Sequence, residues 1–433
     1  VNNRLRGEID AALAALKLSS PDAAARLAAA RALQGSDNEG LLPIVQQAID
    51  RETDPEVKGV LELSAASLAL KNPDPALRAK AAADLAKSND PQVRQVLSAL
   101  VVKGSDGAYA EPDERVRSAA QLSLAEINRR LFGTEIGLAA FTGLSLGSIL
   151  LLAALGLAIT YGLMGIINMA HGEFLMIGAY TAYLTQGVFR QYLPGAFDWY
   201  VVAALPAAFI VTALIGMALE RGVLRWLYGR PLETLLTTWG VSLLLIQACR
   251  SLFGAQNVEV ENPAWLSGGI AISGGYVIPF NRVAIIVFAL LVLAAVWLLI
   301  NRTRTGLFVR GVTQNRAMAS CTGVPTHRVD MLTFGLGSGV AGLGGVALSQ
   351  IGNVGPDLGQ AYIVDSFMVV VLGGVGQLAG TVIAAFGLGA IAKFLEPLSG
   401  AVLAKIMVLV FIILFIQKRP QGLFALKGRS AEA

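Results

Sequence analysis

The sequence predicts an all-α chain of two unlike parts: a polytopic transmembrane helical bundle of about eight or nine spans, preceded by a soluble domain of short helices. Three observations carry this. Of 433 residues, 55% are hydrophobic and only 15% are charged, against about 25% charged in an average soluble domain. The charges crowd into the first 135 residues, which are rich in Ala, Asp, Glu, Lys and Arg. Beyond them, apolar runs of roughly 20 residues, the length that crosses a bilayer, alternate with short polar connectors. The expected division is 1–135 soluble, 136–424 transmembrane and 425–433 a short tail.

The soluble part is built on a repeated start. Asp54-Pro55-Glu56-Val57-Lys58, Asp74-Pro75-Ala76-Leu77-Arg78 and Asp90-Pro91-Gln92-Val93-Arg94 each open an Ala/Leu-rich segment, and Pro112-Asp113-Glu114-Arg115-Val116-Arg117 is a looser copy. Asp caps the free N–H groups of a helix start, and Pro in the first turn gives up an N–H that would lack a partner anyway. Apolar residues follow at helical spacing: Val57, Val60, Leu61 and Leu68, then Leu77, Ala81 and Leu85. Short helices paired in this way resemble HEAT-like repeats, which serve as scaffold or interaction surfaces. The first 135 residues contain neither His nor Cys, so no catalytic constellation is expected there.

Candidate spans are 137–167, 174–190, 200–220, 234–253, 281–300, 331–351, 362–378, 380–395 and 401–417. Lys and Arg favour cytoplasmic loops. Arg221, Arg225 and Arg230 mark one such loop, Arg302, Arg304, Arg310, Arg316 and Arg328 a second, and Lys418, Arg419, Lys427 and Arg429 the C-terminus. The connector 254–280 has no Lys or Arg but carries Glu259 and Glu261, which fits the outside. Alternation then puts the N-terminal domain in the periplasm and the C-terminus in the cytoplasm. Arg129-Arg130 before the first span argues mildly against this, and a removed signal peptide, which a start at Val1 fits, would override it. The net charge of +4 speaks to orientation rather than to nucleic acid. Cys249 and Cys321 are not expected to pair, and with two distant histidines they offer no metal site.

The stretch Leu157–Tyr183 interrupts its apolar run with Asn168, His171 and Glu173. Two readings are open. One is a short surface loop between spans. The other is a broken element lining a route, since irregular backbone at membrane depth survives only inside protein or along a cavity. Glycines crowd two later spans, Gly335 to Gly345 and Gly373 to Gly380. They read as close helix packing, or, at Leu372-Gly373-Gly374-Val375-Gly376, as a second broken helix. In the connector 301–330, the core Thr313–Gly323 predicts one short helix stopped by Gly323, either an amphipathic link or a docking helix. No G-x-x-x-x-G-K-[ST] occurs, so the chain has no Walker A phosphate cradle of its own. No nucleophile–base pairing marks it as an enzyme.

Together, Tyr161-Gly162-Leu163-Met164-Gly165-Ile166-Ile167-Asn168-Met169-Ala170-His171-Gly172-Glu173, the Asn315–Gly323 loop, Val371–Gly376 and Arg419-Pro420-Gln421-Gly422-Leu423 resemble the branched-chain amino acid permease family of bacterial ABC importers, over roughly residues 137–424. Within it, Thr237–Leu243, Asn353–Pro356, Tyr362–Val370 and the helical extension ahead of the permease are similar to the urea-importing subgroup. The resemblance implies an inner-membrane subunit without a cofactor. Its partners would be a second related permease, two cytoplasmic ABC ATPases and a periplasmic substrate-binding protein. It implies that Gln314, Asn315, Arg316, Ala317 and Met318 lie on the helix that couples to an ATPase groove.

Urea is small, planar and neutral, so its route needs hydrogen-bonding groups and small residues rather than a charged partner. The candidates are Asn168, His171 and Glu173 at the first break, Gly373 and Gly374 at the second, and Asn353 and Asp365 near the outer end. His171 is expected to be hydrogen-bonded inside the bundle. Glu173 reads equally as route lining, as an arginine's partner or as a cap on the following helix. A permease for branched-chain amino acids or short amides, a passive urea or amide channel, and a membrane-anchored scaffold are the competing readings.

Overall fold

The computed structural model describes residues 12–34, 39–88, 91–103, 109–271 and 277–424. The tail 425–433 and the expected cap Asp90 lie outside these residues. The protein is mostly helical, and its described strands, β1 (Gly269–Ala271) and β2 (Val277–Pro279), pair with each other. The chain forms two compact units, Val1–Gly137 with Ala271–Val277, and Leu138–Ile270 with Ile278–Ala433.

The first unit contains α1 (Ala23–Gln34), α2 (Leu42–Arg51), α3 (Pro55–Ala69), α4 (Pro75–Asp84), α5 (Pro91–Val101) and the start of α6 (Glu114–Met164). The repeated starts are helix caps. The Asp54 carboxylate accepts from the Glu56 and Val57 amides at 2.9 and 3.4 Å, and Asp74 from the Ala76 amide at 2.9 Å. In the looser copy, Asp113 accepts from the Arg115 amide at 2.8 Å. Leu33, Val45 and Leu61 centre one core, and Leu85, Leu97, Ile127 and Leu131 a second.

An arginine repeat overlies this pattern. Arg26 forks onto Glu52 at 2.7 and 2.9 Å and also donates to the Ser20 and Pro21 carbonyls. Arg78 forks onto Glu111 at 3.2 and 2.8 Å and donates to the Asn72 and Pro73 carbonyls. Arg117 reaches the Glu111 and Pro112 carbonyls in the same way. Each guanidinium thus ties its helix to the loop that precedes it. The Arg26 guanidinium first, then the Asp54 and Thr53 amides, hold the Glu52 carboxyl down to about 2.

The second unit holds the rest of α6 and then α7 (His171–Tyr192), α8 (Tyr200–Gly222), α9 (Pro231–Phe253), α10 (Phe280–Arg302), α11 (Arg304–Gln314), α12 (Arg316–Cys321), α13 (Thr326–Ser349), α14 (Leu358–Gly373) and α15 (Leu378–Lys418). Among the described residues, 6 helical segments are long and apolar enough to cross a membrane, fewer than the expected eight or nine: those in Glu114–Met164, Pro194–Trp226, Pro231–Phe253, Phe280–Arg302, Thr326–Ser349 and Leu378–Lys418. The physical reasons are local. Helix α7 is long enough but carries His171, Glu173 and Gln186, and α14 has only 16 residues. The expected spans 380–395 and 401–417 are the two arms of α15, separated where Gly400 leaves helical geometry at φ 79°, three residues after Pro397. The expected span 362–378 starts earlier, at Leu358, and stops at Gly373.

Helix α13 packs against both α7 and α8 and is buried along most of its length. The contact is backbone on backbone. A methyl group added at Gly178 of α7 would lie 2.1 Å from the Gly342 carbonyl oxygen, and one at Gly345 would lie 2.0 Å from that of Leu175. Membrane helices associate through such close approach at small residues.

Two outcomes follow from this packing and these ion pairs. Gly178→Ala and Gly345→Ala each destabilise the detergent-solubilised protein by about 1–3 kcal/mol through overpacking. Gly187→Ala and Gly240→Ala, where an added carbon meets nothing within 4 Å, leave the thermal midpoint unchanged or raise it. The second outcome concerns acid. The folded Glu52 value of about 2 lies below that of an unfolded Glu, about 4.3. Its contribution is therefore present above the unfolded value and fades as pH falls from about 4.3 toward 2. An acid titration followed by circular dichroism shows this loss, and Glu52→Gln removes that part of the pH dependence while lowering stability at neutral pH.

Candidate functional site

The first break begins where α6 stops at Met164, three residues before the expected end at 167. Gly165 turns the chain with φ 71°, in the left-handed region that favours glycine. Helix α7 then starts at His171, not at 174, so His171 and Glu173 stand in its first turn rather than in a surface loop. Asn168 makes the turn between: its side-chain oxygen accepts from the Ala170 amide at 3.0 Å, and its carbonyl from the His171 amide at 3.3 Å. The His171 Nε2–H donates to the Ala153 carbonyl at 2.9 Å, which fixes the tautomer and leaves Nδ1 as an acceptor. Glu173 Oε1 accepts from the Ser242 hydroxyl at 2.9 Å. Its Oε2 faces the first turn of α14, where a methyl at Gly359 would come within 2.8 Å of it.

All three side chains are buried, with exposures of 0, 0 and 1%. Yet Asn168 Nδ2, His171 Nδ1 and Glu173 Oε2 have no hydrogen-bond partner. That is one donor and two acceptors within six residues. A buried polar atom left unpaired costs about 1–3 kcal/mol, so each of these three atoms would gain from a polar partner.

The second break lies against the first. Helix α14 ends at Gly373, and Gly374 takes φ 99°, again the left-handed region. A methyl on Gly162, near the end of α6, would sit 2.4 Å from the Gly376 Cα. The C-terminal Arg419–Leu423 motif closes this break from its other side: the Leu423 amide donates to the Leu372 carbonyl at 2.8 Å. The glycines 373 and 374 therefore contact backbone, the first against Gly380 and the second against Phe424. Asn353 and Asp365 are not among the hydrogen-bond partners of the first break. Asn353 is exposed in the turn after α13, beside the Val258–Val354 bridge, and Asp365 pairs with Lys405 at 3.0 Å.

The basic connector is two helices, not the single one expected over Thr313–Gly323. Gln314 closes α11, and Asn315 caps α12 by accepting from the Met318 amide at 2.9 Å. A capping Asn takes a non-helical backbone, and here its φ of −152° divides the two helices. Arg316, Ala317 and Met318 form the first turn of α12, with Met318 exposed. Arg316 pairs with Asp330 of α13 and lies 4.8 Å over the Tyr228 ring. The Tyr228 hydroxyl donates to Glu220 of α8 at 2.8 Å. Burial first, then the Asp330 and Glu220 charges, push the Tyr228 phenol well above its usual range, so it remains a donor.

Two site residues escaped sequence reasoning. The Met169 amide inside the first break donates to Thr238 Oγ1 at 3.1 Å, and Ser242 holds Glu173. The signal was present: Thr234, Thr238 and Ser242 recur every fourth residue on one face of an apolar helix, and all three are buried.

These features define a polytopic helical membrane protein whose helices are broken around buried polar side chains. The chain belongs to the family described as the branched-chain amino acid transport system / permease component, whose sequence pattern matches residues 139–416. It is similar to the high-affinity branched-chain amino acid transport system permease protein BraD of Pseudomonas aeruginosa, at 30% identity over 287 residues, covering 65% of this chain and 93% of that one. LivH of Salmonella typhimurium, a permease protein of the same description, is 30% identical over 295 residues, with the same coverage of 65% and 93%. The ribose import permease protein RbsC of Escherichia coli is 24% identical over 207 residues, 45% of this chain and 54% of that one. No solved structure matches. Family and apolar helices together make this a multi-pass membrane permease.

Gly165 offers a local test. An added carbon there meets nothing within 4 Å, so the φ of 71° alone sets the cost. Gly165→Ala lowers stability by about 1–2 kcal/mol. Gly165→Asn costs less, because Asn visits the left-handed region more readily. Thermal unfolding of the two variants side by side reads the difference.

Proposed function

We propose that the chain is the permease subunit of an ATP-driven importer of the ABC class, and that its cargo is urea. The observation that carries the cargo is the unpaired set Asn168 Nδ2, His171 Nδ1 and Glu173 Oε2. Urea has one carbonyl to accept from the Asn168 amide and N–H groups to donate to the two acceptors. The hydrogen bonds made by Asn168, His171 and Glu173 are to the Ala170 amide, the Ala153 carbonyl and Ser242. No Lys or Arg stands among those partners to meet a carboxylate. A second reading, transport of branched-chain amino acids, is favoured by what the relatives BraD and LivH are named for.

In this reading Asn168, His171 and Glu173 line the route, with Gly373 and Gly374 shaping the wall beside them. Asn353 and Asp365 contribute near the outer end. Gln314, Asn315, Arg316, Ala317 and Met318 present a coupling helix to one of two cytoplasmic ATPases. A second related permease completes the pathway, and a periplasmic binding protein delivers the cargo. Residues 1–135 form a HEAT-like periplasmic domain, the permease occupies 136–424 of the inner membrane, and 425–433 is a cytoplasmic tail. ATP binding moves the connector and switches the bundle between outward and inward openings.

The decisive experiment measures ATP hydrolysis by the reconstituted complex with its binding protein, against urea and against leucine. Stimulation by urea alone is expected. Stimulation by leucine alone removes the urea assignment, and urea flux without any ATP dependence replaces the importer by a channel. Asn168→Ala is expected to lower urea uptake on the order of tenfold, the worth of one hydrogen bond. If Glu173→Gln and His171→Ala both leave uptake intact, the polar break is not on the route.

A further inference from the structure

We propose that the Thr313 hydroxyl is the contact through which the basic connector moves the first break. This is a positioning role, and it rests on the importer reading above. Thr313 lies in the last turn of α11, two residues before the Asn315 cap. Its Oγ1 stands 2.8 Å from the Val309 carbonyl of its own helix and 3.1 Å from the carbonyl of Leu163. Leu163 is the penultimate residue of α6, so its carbonyl is among the last four that a helix leaves without an internal partner. Two residues later Gly165 turns the chain toward Asn168. Thr313 therefore touches the frayed end of the helix that leads directly into the polar cluster.

A hydroxyl carries one proton. Donated to Leu163, it holds the end of α6 against α11. Donated to Val309, it lets that end go. The two acceptors give the Thr313 hydroxyl two bonded positions, one on each helix. The connector is also gripped on its far side. Arg316 bonds Asp330 of α13 and covers Tyr228, which bonds Glu220 of α8. A force applied to α12 therefore works against fixed neighbours. It passes back through Asn315 to the end of α11, and from there one hydroxyl carries it to Leu163. Asn168 and His171 follow within eight residues of Leu163.

The test uses the complete complex with its ATPases and binding protein in vesicles, with cargo uptake and ATP hydrolysis measured in the same samples, for urea and for leucine. Thr313→Val keeps the shape of the side chain and removes its proton; Thr313→Ser keeps the proton. We expect Thr313→Val to hydrolyse ATP within about twofold of wild type while cargo moved per ATP falls about tenfold, the worth of one hydrogen bond. Thr313→Ser restores most of that ratio. Should the valine protein fail to assemble, Thr313→Ala against Thr313→Ser supplies the same comparison. The proposal is overturned if Thr313→Val keeps the wild-type ratio, if hydrolysis and uptake fall in equal proportion, or if Ser behaves as Val does. A wild-type complex that moves neither cargo in an ATP-dependent way removes the importer reading itself, an outcome visible before any variant is made.

Discussion

Backbone-to-backbone contact at glycine is the constraint on which the membrane unit depends. Between membrane helices there is no water to expel, so association rests on close packing. Gly178 against Gly342, and Gly345 against Leu175, bring α7 and α13 to a separation that no side chain permits. Helix α7 carries His171 and Glu173 in its first turn. Its depth and rotation against α13 therefore set where those two side chains stand. At the start of α7 the same device recurs, with Gly172 directly on Gly359 of α14, which fixes the helix at both ends of its polar segment.

A broken helix then raises a second problem, because its freed amides and carbonyls need partners that the bilayer cannot supply. The structure answers with groups remote in sequence. Thr238 takes the Met169 amide, Thr313 bonds the Leu163 carbonyl, and the Leu423 amide bonds the Leu372 carbonyl. The backbone of both breaks is thus tied down by α9, α11 and the C-terminal segment. Among the side chains of the first break, Asn168, His171 and Glu173 each keep one buried atom without a partner. Bonds to groups so remote in sequence mark these breaks as built features of the fold rather than frayed ends.

Much of this was legible in the sequence, and the limits of legibility are physical. Asp54 and Asp74 announced their helices because capping is local chemistry. Asn168, His171 and Glu173 announced a break because polar groups are costly in an apolar run. Span ends were less legible. The glycines at 373–376 left close packing and a break both open, and the positive φ of Gly374 ends the helix there. Asn315 divides the connector by capping forward onto Met318, a choice that helical composition on either side conceals. The partners of the site were hidden for another reason. Ser242 reaches Glu173 across 69 residues and Thr313 reaches Leu163 across 150; periodicity can mark a polar face but does not name its partner. The Arg26 and Arg78 ion pairs span 26 and 33 residues and were missed for the same reason.

The chemistry of the break bears on where cargo identity is decided. A zwitterionic amino acid carries a carboxylate, and burying an unpaired charge is far more costly than burying a neutral amide. The hydrogen-bond partners of Asn168, His171 and Glu173 are a hydroxyl, a backbone amide and a backbone carbonyl, none of them cationic. If these residues line the route, as proposed, such a wall would favour a neutral polar solute by leaving a carboxylate without a counter-ion, which is discrimination by exclusion rather than by tight binding. Exclusion of this kind would be compatible with rapid release, because urea carries no charge for a fixed partner to hold. On the urea reading, selectivity would then divide between a partner protein that captures the cargo and a break that refuses charge. On the same reading, the glycine contacts that lock α7 in place would keep the second of these from relaxing around the wrong solute.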